Sequence, residues 1–314
     1  MNIGIVGNGL VGSTAAYAII MRGLGRKIVL VDKDQKRSLA ETNDLLHAIP
    51  FANPLTVRQG NYEDLAGCKL VVIAAGVSQK KGESRLDLLK RNADVFAKVV
   101  PAILTVAPES ILVIATNPLD VMTYVATRLA ADFGLPKTRV LGTGTMLDTA
   151  RFRSLLGTML DIDPQHVHGY VVGEHGDSEV LTWSLATVGA MALEDFCKQR
   201  SIIFDENLKR CVDDGVRNAA YSIIEGKGAT YYGIGSAIAK LVDVIIHDQR
   251  SILTVSTMTS LTGGVADVSI SMPNVVGGNG IIETLPMPLN TDESAELNRS
   301  VEILKSEIEK INIA

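Results

Sequence analysis

The rhythm of apolar and polar positions changes near residue 143. Before it, short continuous apolar runs at 2–6, 27–31, 70–74 and 111–115, with a shorter one at 139–141, alternate with stretches of helical periodicity. Continuous runs of this length are strands covered on both faces, and their alternation with helices predicts a doubly wound parallel α/β sheet. Beyond Thr143, alternating stretches at 252–255 and 268–272 meet glycine-rich turns such as Gly277-Gly278-Asn279-Gly280. That pattern predicts antiparallel hairpins. Two domains follow: residues 1–142 with the parallel sheet, and a mixed α+β domain over 143–314. A last helix carries Leu297, Val301, Leu304, Ile308 and Ile311 at spacings of four and three, a stripe that packs on a core.

Composition narrows the class. With 46% hydrophobic and 21% charged residues among 314, the chain is an ordinary globular one. A net charge of −5 gives no reason to expect nucleic acid or an anionic membrane as partner. No apolar run approaches the roughly 18 residues that span a bilayer. The first strand begins at residue 2, so no signal peptide is expected. Three scattered cysteines (Cys68, Cys197, Cys211) suit a reducing cytoplasm without a disulfide framework. His166 and His168 lack further ligands at metal spacing, so no metal is expected.

The first strand runs into Gly7-Asn8-Gly9-Leu10-Val11-Gly12, then an apolar helix to Met21 and a second strand ending at Asp32. Strand, glycines, helix, strand and terminal acid in that order form the dinucleotide fingerprint of a Rossmann domain. Gly7 makes the tight turn, Gly9 admits the pyrophosphate, and Gly12 permits close helix–strand packing. The phosphates then sit at the positive end of the helix that starts near Leu10. Asp32 accepts hydrogen bonds from the adenosine ribose and repels a 2′-phosphate, which favours NAD over NADP. Lys33, Lys36 and Arg37 read as a solvated helix start.

A second cluster lies further on. Gly173-Glu174-His175-Gly176-Asp177 sets a histidine in a glycine-flanked turn after Tyr170-Val171-Val172. Imidazole changes charge near neutral pH and suits proton exchange with a substrate. Asp148 and Arg151, three apart, share a helix face. An aspartate can orient and charge-balance the imidazole, and an arginine fork matches a carboxylate. A surface ion pair, worth at most about 1 kcal/mol, is the plainer reading of these two.

Together these motifs, with Thr116-Asn117-Pro118 and Leu147-Asp148-Thr149-Ala150-Arg151, make the chain resemble the L-lactate/malate dehydrogenase family over its full length. The resemblance implies an NAD-dependent 2-hydroxy-acid dehydrogenase. In it His175 is the proton donor and acceptor, Asp148 its orienting partner and Arg151 the clamp on the substrate carboxylate. Asn117 lies near the cofactor ribose and the substrate oxygen. It implies a lid over 76–85, in which Arg85 polarises the carbonyl and Gln79, six residues earlier, faces the substrate side chain. Malate-type members place arginine at that position to pair a second carboxylate, so Gln79 selects pyruvate and L-lactate. Thr230 matches the lactate-type residue beside the substrate, and Ile234 the apolar wall on the nicotinamide. Thr143 stands where serine is commoner near the nicotinamide amide, which leaves room for a relaxed enzyme acting on branched 2-oxo acids. Malate dehydrogenase is the nearer rival within the family. A cytoplasmic homotetramer is implied, with Arg153 and His168 matching an anion site for fructose 1,6-bisphosphate across a two-fold.

Overall fold

The computed structural model describes residues 1–77, 84–259 and 268–311. The first part runs β1 (Asn2–Val6), α1 (Leu10–Met21), β2 (Lys27–Val31), α2 (Gln35–Ala48), β3 (Thr56–Gln59) and β4 (Cys68–Ile73). It continues with α3 (Arg85–Val106), β5 (Ile111–Ile114), α4 (Leu119–Ala131) and β6 (Val140–Gly142). These strands lie parallel in the order β3-β2-β1-β4-β5-β6, the doubly wound arrangement whose switch point falls between β1 and β4. Every residue of β5 is buried, and β1 and β2 each leave only their first residue partly exposed, as strands covered by helices on both faces must be.

The second part begins with α5 (Met146–Leu160) and five two-residue strands: β7 (Val167–His168), β8 (Val171–Val172), β9 (Val180–Leu181), β10 (Thr187–Val188) and β11 (Met191–Ala192). Helices α6 (Leu193–Gln199), α7 (Glu206–Arg217), α8 (Ala219–Lys227) and α9 (Tyr232–Ile246) follow. The chain then forms β12 (Ser251–Thr259), β13 (Val268–Gly277), β14 (Gly280–Thr284) and α10 (Thr291–Glu309).

The hairpins expected beyond Thr143 are present, but they do not build a sheet of their own. β12 pairs antiparallel with β6 through Ser256 opposite Gly142, so β12, β13 and β14 extend the nucleotide sheet to nine strands. Beside it stand two small sheets, β11-β10-β7 and β8-β9. The terminal helix packs as its stripe requires: Val301 and Leu304, with Ile311 just past its end, are buried in the cluster that also holds Phe96, Ile103 and Met122 of α3 and α4. Apolar burial therefore crosses from one half of the chain to the other.

On the opposite face α9 lies along α1. Gly235 makes this approach possible, since a Cβ there would stand 2.7 Å from a Thr14 methyl. The helix at the nucleotide turn and the helix that follows Thr230 are thus one packed unit.

Candidate active site

The nucleotide turn is shaped by steric exclusion. Gly7 takes φ +97°, and a Cβ there would lie 2.4 Å from the Ala75 nitrogen at the end of β4. A Cβ on Gly12 would come within 2.0 Å of the Gly7 carbonyl oxygen, so only glycine lets α1 approach the turn. Gly9 differs: nothing lies within 4 Å of where its Cβ would stand. It is also the N-cap of α1, with no side chain capping the first turn. Open space beside unsatisfied N–H groups at a helix start is what a pyrophosphate needs.

Asp32 follows β2 and is held by the backbone. Its Oδ2 accepts the Asn8 N–H at 2.6 Å and its Oδ1 the Asp34 N–H at 2.9 Å. It borders a cleft of about 310 Å³ with Gly7, Gly9, Tyr62, Gly76 and Val99. Burial, and next the Asp32 charge, push the Tyr62 phenol up. The cleft thus has an acid on one wall and apolar side chains on another, the chemistry an adenosine half requires. Lys33 and Arg37 also border it; Arg37 stands 3.7 Å from Glu41. Lys33, Lys36 and Arg37 are all exposed, as a solvated helix start requires.

The proton site is assembled from distant segments. Asp148, on the first turn of α5, is 2% exposed. Its Oδ2 stands 2.6 Å from His175 Nδ1, and its Oδ1 accepts from Arg151 Nη1 at 2.8 Å. One buried carboxylate thus joins the imidazole and the guanidinium that sequence separates by 24 residues. For His175, burial works against the charged form, but Asp148 first, then Asp120 and Glu179, overcome it and raise the pKa to about 9. Burial likewise acts to raise Asp148, and the His175 charge followed by Arg151 outweighs it, holding that carboxyl low. The pair therefore rests as imidazolium and carboxylate at neutral pH, ready to give a proton from the ring.

Four elements hold the His175 turn. Gly173 takes φ +92° and exchanges backbone hydrogen bonds with Ser271 of β13, at 2.9 and 3.1 Å. The Glu174 N–H donates to Ser300 Oγ of α10 at 2.7 Å. The His175 N–H donates to Asp120 Oδ2 of α4 at 2.7 Å. Arg217 of α7 donates to the carbonyls of Asp177 and Glu179 at 2.7 and 2.8 Å. Upstream, β8 is stitched to α5, with the Val171 N–H donating to Thr149 Oγ1 at 2.9 Å. Asp148 and His175 therefore ride on elements fastened to each other.

The remaining expected residues fall around this centre. Asn117 is exposed at the start of α4, after β5, and its peptide bond to Pro118 is cis. Its carbonyl accepts from Asn92 Nδ2 at 3.0 Å, while Asn92 Oδ1 accepts the Val77 N–H at 2.8 Å. Thr143 is buried just past β6 and donates its N–H to the Ile114 carbonyl at 2.9 Å. Thr230 is half-buried just before α9, and Ile234 in that helix packs against the cluster beneath α1. Gln79 lies outside the described residues, and Arg85 is described only as the first residue of α3. Arg153 donates to the Gly169 carbonyl at 3.0 Å and stacks 5.2 Å from the Tyr170 ring, whereas His168 lies exposed on β7.

Asp120, Asn92, Glu179 and Arg217 also shape the site, and none was marked by the sequence motifs. Asp120 had one available signal, an acid in the first turn of α4 beside the apolar residues Leu119, Val121 and Met122.

Residues 1–142 match the model of the lactate/malate dehydrogenase NAD binding domain, and residues 145–313 that of the family's alpha/beta C-terminal domain. The chain is 53% identical to an L-lactate dehydrogenase of Geotalea daltonii over the full length of both. It is 55% identical to one of Thermus aquaticus over 97% of each chain. Among solved structures, the minor L-lactate dehydrogenase of Enterococcus mundtii superposes with a TM-score of 0.95 at 38% identity, covering 100% of this chain and 99% of that one. A glycine turn fitted to a dinucleotide, a carboxylate bridging His175 and Arg151, and full-length similarity in both halves converge: the chain belongs to the lactate/malate dehydrogenase family, with an NAD-binding domain at its start.

Proposed function

We propose that this chain interconverts pyruvate and L-lactate with NAD as its redox partner. The observation that carries the reading is the Asp148 carboxylate shared between His175 and Arg151. Gly7, Gly9, Gly12 and Asp32 would hold the dinucleotide, with Asn117, Thr143 and Ile234 toward its nicotinamide end. When bound, NADH supplies the hydride that reduces the substrate carbonyl carbon.

The protein's own residues do the rest. A guanidinium carries five N–H donors, and Asp148 takes one, so Arg151 keeps donors for a substrate carboxylate. His175 gives its proton to the oxygen as charge develops there, and Asp148 stabilises the imidazolium before that transfer. Arg85 polarises the same carbonyl from the segment after β4. Lactate oxidation runs the proton in reverse, with neutral His175 as acceptor.

Selection of the substrate rests on Gln79 and Thr230. A second carboxylate opposite neutral Gln79 would enter the site inadequately paired, at a cost of several kcal/mol. The relatives named L-lactate dehydrogenase across the full length support the same choice. The test is NADH oxidation with pyruvate, oxaloacetate and 2-oxoisocaproate. We expect pyruvate to be preferred by at least about a hundredfold in kcat/KM, and Gln79→Arg to swing that preference to oxaloacetate. Preference of the native chain for oxaloacetate or 2-oxoisocaproate would overturn the reading.

The finer proposals are that the enzyme is a cytoplasmic homotetramer and that Arg153 and His168 form a bisphosphate site across its two-fold. Fructose 1,6-bisphosphate should then sharpen the pyruvate saturation curve at pH 6 and 7.5; an unchanged curve rejects the site.

A further inference from the structure

One buried acid beside the proton site has no part in the scheme above. Glu179 immediately precedes β9, four residues after His175, and is 4% exposed. Its N–H closes the turn onto the Gly176 carbonyl at 3.2 Å, so its place is fixed relative to the histidine. Its own carbonyl is held by Arg217 at 2.8 Å. The side chain is less well provided for: Oε1 is buried with no hydrogen-bond partner among the described residues. A carboxylate in that position would be a buried charge with an unbonded oxygen, whereas a carboxylic acid is better tolerated.

We propose that Glu179 is a charge reserve for His175: protonated while the imidazole is firmly charged, it loses its proton as the pH rises and then supplies the negative charge that keeps His175 protonated. It is a positioning residue acting through the imidazole, and the idea rests on His175 being the proton donor proposed above.

The surroundings support this order of events. Burial first, and then the Asp148 charge, push the Glu179 carboxyl far above the usual carboxylate range. Arg217, His175 and Arg151 pull in the other direction without cancelling them. In return Glu179 is one of the groups that raise His175, after Asp148 and Asp120. The charged groups facing it come from every side: Asp148 and Arg151 on α5, Arg217 with its partner Asp213 on α7, Glu296 of α10 acting on Arg217, and Asp120 of α4 behind His175. Protonated Glu179 leaves Asp148 and, above about pH 6, Asp120 as the charges that favour the imidazolium. Ionised Glu179 adds to them, and the imidazolium gains by it.

The consequence is an alkaline extension of pyruvate reduction, which needs charged His175. Glu179→Gln keeps the shape of the neutral acid but cannot ionise. In that variant the His175 titration should move down by about one pH unit, with kcat/KM for pyruvate falling about tenfold at the alkaline end and the loss fading toward pH 6. Lactate oxidation, which needs neutral His175, should gain its activity at correspondingly lower pH. The direct readout is NMR titration of the histidine-labelled, unliganded protein, with His175 assigned by its absence in His175→Asn. Glu179→Met, a second uncharged side chain of similar length, must give the same shift. A His175 midpoint unmoved in both variants, or a loss of activity equal at every pH, would overturn the proposal and leave Glu179 as packing alone. Failure of the native protein to reduce pyruvate would instead defeat the functional reading, while the imidazole titration still decides the role of Glu179.

Discussion

The nucleotide turn and the proton site solve opposite problems. The first is steric and mostly local: in residues 2–32 glycines give way to the Gly7 carbonyl and to open space at Gly9, and Gly7 gives way to the Ala75 backbone after β4. Its helix α1 carries no charged residue. The second is non-local and electrostatic. Asp120, Asp148, Arg151, His175 and Glu179 come from α4, α5, the His175 turn and the residue before β9, and the surrounding charges set the protonation of His175 and Glu179. A site that works by leaving room can be written in consecutive residues. One that works by balancing buried charges needs the tertiary fold to bring its parts together.

The comparison breaks most sharply at His175. His175→Asn removes the transferable proton and should lower kcat by about 10³-fold or more while NADH affinity stays within a fewfold of native. Stopped-flow fluorescence for NADH binding beside steady-state turnover separates the two. Loss of NADH binding as well would mean that the two regions are not separable in function. Asp148→Asn should come next, at about 10²- to 10³-fold in kcat/KM, because the ring loses its charge partner and its orientation together. Its His175 titration should fall well below about 9, since Asp148 is the largest contributor raising it.

A change on the other side should behave in the reverse manner. Gly12→Ala places a methyl against the Gly7 carbonyl, where a Cβ would sit only 2.0 Å away. Overpacking of this kind costs about 1–3 kcal/mol, so NADH affinity should weaken by roughly 10- to 100-fold. Turnover at saturating NADH should be largely kept. If kcat falls as far as affinity does, the turn also positions the chemistry and the two regions are coupled.

What was legible in the sequence follows the same division. The doubly wound sheet and the glycine turn could be read because their signals, apolar runs alternating with helices and one short glycine motif, are each local in sequence. His175, Asp148 and Arg151 were legible as motif residues, though their shared contact emerged only from the fold. Asp120 and Glu179 were not legible, since an acid in a helix or before a strand looks solvated until another segment covers it. Nor was the extension of the sheet, because β6 meets β12 through a single register pair, Gly142 with Ser256, that no periodicity announces. Strand β3 escaped for a related reason: Thr56–Gln59 is a half-polar edge strand with one buried residue.

Asp120 offers the smallest expected effect and the finest test of how charge is divided in the proton site. It accepts the His175 N–H at 2.7 Å and the Ser271 hydroxyl at 3.3 Å. An asparagine carbonyl could accept the same donors, so Asp120→Asn should keep the turn while removing a charge. Burial raises the Asp120 carboxyl most, against hydrogen bonds that lower it, leaving it at about 6. Below about pH 6 it is protonated in the native protein too, so the native and variant profiles for pyruvate reduction should coincide there. Above it, the native carboxylate supports the imidazolium and the variant cannot. The alkaline limb of kcat/KM should then move to lower pH, with a deficit of about two- to fivefold at alkaline pH. Profiles that coincide throughout would mean Asp120 acts on His175 through its hydrogen bond alone. Profiles offset equally at all pH would mean it acts by holding the turn, and the balance of charge would then fall to Asp148 and Glu179.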